Sequence, residues 1–79
     1  MTERKYVDMV VLQYRSGSVK PLFLIWEDGV KYTIDRILDI QKTIGGQADE
    51  KGILYRCLIS GHKKNIYMEN DRWYVEVES

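Results

Sequence analysis

The stretch from Pro21 to Ile34, Pro-Leu-Phe-Leu-Ile-Trp-Glu-Asp-Gly-Val-Lys-Tyr-Thr-Ile, restricts the fold of this chain more than any other. It holds the longest apolar run, Leu22 to Trp26, and then breaks it with Asp28-Gly29. A two-residue type I′ hairpin needs positive φ at both central residues, which Asp tolerates and Gly adopts freely. The flanking residues alternate as paired strands do, with Leu24 and Trp26 before the turn and Val30, Tyr32 and Ile34 after it. The sequence therefore predicts a hairpin with a type I′ turn at Asp28-Gly29. Phe23 and Ile25 make the opposite face of the first strand apolar as well, so that strand is expected to be central and covered on both sides.

The rest of the chain repeats the strand signal at turn spacings of roughly 8–12 residues, the mark of an all-β meander. A first strand runs from about Lys5 to Arg15 and ends at Ser16-Gly17-Ser18. After a patternless stretch, Thr43 to Gly52, come Ile53 to Ile59, Asn65 to Glu69 and Arg72 to Glu78, separated by turns at Ser60-Gly61 and Asn70-Asp71. The last alternates Trp73, Val75 and Val77 against Tyr74, Glu76 and Glu78, as an edge or half-exposed strand does.

Residues 33–44 admit two readings. Ile34, Ile37, Leu38 and Gln41 fit helical spacing, with Thr33 as a possible N-cap. Alternatively the hairpin strand continues, and a one-residue slip near Asp35-Arg36 returns Ile37 to the face of Ile34, which is what a β-bulge does. The β-branched residues at 30, 33, 34, 37 and 40 favour the bulged strand. Six strands in one domain spanning residues 1–79 cannot build two well-filled sheets, so the expected fold is all-β. Its form is a small antiparallel meander curled into an SH3-like or partly open barrel. The expected core is Val11, Leu24, Trp26, Ile34, Ile37, Tyr55, Cys57, Ile59, Ile66, Met68, Trp73 and Val75.

Twelve basic residues balance twelve acidic ones, which removes the simplest electrostatic argument for a nucleic-acid or membrane partner. The single cysteine permits no intrachain disulfide, and the start Met1-Thr2-Glu3-Arg4-Lys5 lacks the apolar core of a signal peptide. A cytoplasmic location and an entire small protein are the expectation.

No residue pattern points to catalysis. One His and one Cys supply no zinc ligand set, the glycines follow no phosphate-loop spacing, and short acidic pairs lack the calcium-loop pattern, so no metal or cofactor is expected. Cys57 falls at an inward strand position, where a thiol serves as a small buried hydrophobe. A small enzyme or ligand-binding protein using tyrosines, His62 or carboxylates on the rim is the least expected reading, since a chain of this length leaves little room to enclose a substrate pocket. Two others stand ahead of it. A small non-catalytic binding or interaction module would use a protein partner, or self-association through an unpaired strand edge. A nucleic-acid-binding small barrel would stack bases on aromatics in a basic groove. The candidate surface residues are Arg15, Lys20, His62, Lys63 and Lys64, which form a basic cluster only if their loops converge, and the outward tyrosines Tyr67 and Tyr74. Cross-strand packing of those tyrosines would need no partner at all.

The segments Pro21 to Ile37 and Asn65 to Glu76 carry a pattern of Pro, apolar run, Trp, acidic-Gly turn and Tyr-x-Ile-x-x-Ile, then a terminal Arg-Trp-aromatic-Val. In these the chain resembles a group of small bacterial all-β proteins, a domain of unknown function, across most of residues 20–77. The resemblance implies a small β domain and the strand reading of residues 30–41. It implies no activity and carries over no site residues.

Overall fold

A computed structural model describes residues 2–44 and 51–78 of the chain. Six strands follow in order: β1 (Thr2–Gln13), β2 (Val19–Ile25), β3 (Lys31–Ile44), β4 (Lys51–Ile59), β5 (His62–Glu69) and β6 (Arg72–Glu78). Each pairs antiparallel with its neighbour in sequence, and β6 returns to β1, so the meander closes into a barrel. Among the described residues no helix is long and apolar enough to cross a membrane.

Two long strands make closure possible. The first half of β1 pairs with β6 and the second half with β2, while β3 pairs with β2 at Lys31–Thr33 and then with β4 from Ile34 onward. A strand that serves two neighbours in this way must bend, and bulges supply the bend. In β3 the register slips between Ile34 and Arg36, with Asp35 as the extra residue, and again between Ile37 and Asp39, with Leu38 extra. The slip near Asp35-Arg36 is the one expected from the sequence, and residues 33–44 are strand, not helix. The second slip answers no break in the apolar pattern that the sequence shows. Of the stretch Thr43 to Gly52, expected to be a loop, Thr43 and Ile44 pair with Gly52 and Lys51 as strand, because the β3–β4 ladder runs on past the last alternating residues; residues 45–50 lie outside the described residues.

Inside the barrel, Leu24, Ile34, Tyr55, Cys57 and Ile66 form the buried cluster, with Trp26, Ile37, Ile59, Met68, Trp73 and Val75 packed against it. All belong to the expected core. Val7, Met9 and Ile53 join them, and Val11 does not. Val11 is exposed because the β1–β2 ladder slips between Val10 and Val11, with Leu22 inserted opposite, which ends the inward alternation of β1. The expectation that β2 is covered on both sides also fails. Phe23 and Ile25 are half-buried, not buried, and the Lys31 ammonium lies 5.1 Å from the centroid of the Phe23 ring.

The turn chemistry differs from expectation in an instructive way. Asp28-Gly29 is not a two-residue turn: Gly29 N–H donates to the Trp26 carbonyl (2.8 Å), Trp26 N–H donates to the Val30 carbonyl (2.9 Å), and only Gly29 has positive φ. This is a three-residue loop with glycine at the left-handed position, and the Asp28 carboxylate accepts from Val30 N–H (2.9 Å). The loop between β1 and β2 has the same bonding from Tyr14 to Ser18, with Gly17 at that position. The paired positive φ values of a type I′ turn occur instead at Ser60-Gly61 and Asn70-Asp71, joining β4 to β5 and β5 to β6.

Candidate functional site

Strand alternation distributes the side chains of β5 and β6 between two environments. On the outer face Tyr74 lies opposite Tyr67 on one side and Tyr6 on the other, with Leu54 beyond Tyr67. The Tyr67 and Tyr74 rings stack, their centroids 4.9 Å apart and planes 8° from parallel, and Tyr6 tilts against Tyr74 at 5.6 Å. The Arg4 guanidinium sits 4.5 Å above the Tyr74 ring, and the Tyr74 hydroxyl donates to Glu69 Oε2 at 3.0 Å. Tyr74 is therefore only 5% exposed although it points away from the barrel interior. Burial, then the bond to Glu69, pushes its hydroxyl up to about 12, against the opposing charge of Arg4. The tyrosines thus satisfy one another across strands, as they can without a partner.

The other sequence-derived residues do not converge. Strand direction alternates, so the β1–β2 loop bearing Arg15 and the start of β2 bearing Lys20 lie at one end of the barrel. The β4–β5 turn next to His62, Lys63 and Lys64 lies at the opposite end, together with the β2–β3 loop, the start of β1 and the end of β6.

At that second end the wall is incomplete. The β5–β6 ladder holds three pairs, Glu69↔Arg72, Met68↔Trp73 and Tyr67↔Tyr74, and then stops. Residues 62–66 keep their pairing with β4, and residues 75–78 keep theirs with β1, but the two segments do not pair with each other. Behind this seam lies a concavity of about 350 Å³ whose floor is Leu24, Trp26, Tyr32, Ile59, Val75 and Val77 and whose rim includes His62, Lys64, Asn65 and Glu76. Its size falls at the lower end of small-ligand sites, and its mix of apolar floor and few polar rim groups is the usual one. Among the described residues no hydrogen bond or ion pair engages the side chains of His62, Lys63 or Lys64. The Lys64 carbonyl accepts a weak bond from the Cys57 thiol (3.5 Å).

Two further depressions, of about 420 and 430 Å³, bring Asp8, Asp71 and Arg72 around Trp73, and Asp39, Arg56 and Lys63 beside Leu38. Neither has a comparable apolar floor. Cys57 is fully buried, and burial holds its thiol up at about 11. No group of His, Cys, Asp and Glu among the described residues is arranged to hold a metal ion.

Sequence reasoning assigned Trp26, Ile59 and Val75 to the core and missed that they also floor an opening. No local signal announces the opening, because it depends on where the β5–β6 ladder stops. Compared with protein-family models, with curated proteins and with solved structures, the chain matches none of them.

Proposed function

We propose that this chain is a small non-catalytic binding module and that its ligand sits in the apolar mouth behind the β5–β6 seam. The observation that carries the reading is the juxtaposition there of an apolar floor with the Lys64 ammonium and the His62 ring, neither of which has a side-chain hydrogen-bond or ion-pair partner among the described residues. A catalytic role has less support. His62, Tyr32 and Glu76 all border the mouth, yet no hydrogen bond joins His62 to a carboxylate or hydroxyl that would orient it as a base. A cytoplasmic setting and kinship with small bacterial all-β proteins are part of the same proposal. The lone, buried cysteine is compatible with the first and the small barrel with the second.

Titration with 1-anilinonaphthalene-8-sulfonate, an apolar anion, followed by two-dimensional NMR of the folded protein, tests the site without presuming the natural ligand. Shifts should cluster on Trp26, Ile59, His62 and Val75. Shifts scattered over the surface, or none up to millimolar concentration, would remove the reading.

A nucleic-acid reading has one observation in its favour. Arg36 and Lys63 flank Leu58 on the outer face, and Arg56 follows at the next outward position of β4. Asp39, opposite Arg56, dilutes the cluster. Binding of single strands that weakens with salt, and that is lost in Arg56→Ala, would move the assignment there.

A further inference from the structure

The seam offers a backbone as well as a hollow. From His62 to Ile66, β5 is held extended by its pairing with β4 through Ile59↔His62 to Tyr55↔Ile66, and its other edge faces the gap. An edge held in this way is a template for one more strand. The sequence of the edge says which kind. Continuing the register past Tyr67↔Tyr74 would set Ile66 against Val75 and Lys63 against Glu78, so β5 is complementary to a strand that alternates apolar and acidic residues. The ladder ends before those pairs form.

We propose that the natural occupant is an extended acidic peptide, apolar at every second position, that adds to the β5 edge at His62–Ile66. This rests on the reading of the mouth as the ligand site. Alternate apolar side chains of the added strand point inward to Leu24, Trp26 and Ile59, and the carboxylates between them lie on the outer side beside Lys63. A second copy of this chain fits less well. Symmetric antiparallel pairing of two His62–Ile66 edges would set Lys64 against Lys64 of the second copy, and like charges on facing strands repel.

The test uses the full chain and two blocked hexapeptides, acetyl-(Val-Glu)3-amide and acetyl-(Val-Lys)3-amide, with NMR shifts and amide exchange as readouts. The acidic peptide should saturate, slow amide exchange within residues 62–66, and bind at least about tenfold more tightly than the basic one. Lys63→Glu, at an exposed position that leaves the core intact, should reverse that preference. Equal binding of the two peptides would overturn the proposal, as would acidic-peptide binding that leaves 62–66 unprotected. Protection that rises with protein concentration without peptide would do the same and would indicate self-association. If the sulfonate probe maps to the mouth while the acidic peptide does not bind, the occupant is wrong and the module reading stands. If neither binds, both fall.

Discussion

Tyr67 and Tyr74 stack nearly parallel, 4.9 Å between centroids, on the last rung that β5 and β6 share before the strands part. The pair marks the boundary between the closed and open parts of the barrel wall. Its burial on the outer face comes from neighbouring strands and from the Arg4 and Glu69 side chains, which are 3.5 Å apart.

That arrangement predicts two distinguishable losses at position 74. Tyr74→Phe removes only the bond to Glu69 and should cost about 1 kcal/mol. Tyr74→Ala also removes the ring and should cost about 3 kcal/mol, since a large buried aromatic leaves a cavity. Urea denaturation of both variants checks the difference; equal costs would mean that the ring contacts contribute little.

Gly29 and Gly17 occupy positive φ, at 86° and 97°, in loops of the same form. A Cβ added at either meets nothing within 4 Å, so the cost of alanine is confined to the backbone. Gly29→Ala should destabilise by about 1–2 kcal/mol and Gly29→Asn by less, because Asn tolerates the left-handed region. Thermal melts of the two variants give the order; an unchanged melting temperature for alanine would contradict the loop geometry.

Asp35 is exposed and is the extra residue of the first β3 bulge. Asp35→Ala should stay within about 0.5 kcal/mol of the parent. Deleting Asp35 is a different matter: it puts Ile34 and Ile37 at the even spacing of a regular strand, so both stay inward, but it removes the bulge that bends β3 between its two partners. The deletion should cost more than the alanine substitution, about 1–3 kcal/mol, as judged by circular dichroism on heating; an unchanged melting temperature would mean that the barrel closes without this bend.

Alkaline pH should unfold the domain progressively. Burial raises the Cys57 thiol from 9.0 to about 11 and the Tyr74 hydroxyl from 10.0 to about 12, with Tyr55 and Tyr67 moved in the same direction. Each group releases its proton more readily in the unfolded chain, so the unfolded state binds fewer protons and stability falls as pH rises. For Cys57 the loss runs from about pH 9 to 11, and for Tyr74 from about pH 10 to 12. Denaturant midpoints measured from pH 8 upward should decline through this window, less steeply in Cys57→Ala. Native protein at pH 8 should leave a thiol reagent unreacted until denaturant is added.

Much of this molecule was determined by the order of its residues. Period-two alternation placed the inward faces of β2, β4, β5 and β6, and that of β1 as far as Met9, and the clash between Ile34 and Ile37 at odd spacing announced the bulge at Asp35. These are local properties, because a strand's two faces follow from chain geometry alone. Tertiary structure decided what alternation cannot express. Asp28-Gly29 took a three-residue loop because the registers of β2 and β3 on either side, not the dipeptide, set the loop length. Tyr74 became buried on an outward face because Tyr6 and Tyr67 arrive from two other strands. The β5–β6 seam likewise has no local signature. It exists because β6 follows β1 while β5 follows β4, and a strand paired on one side need not remain within bonding distance on the other.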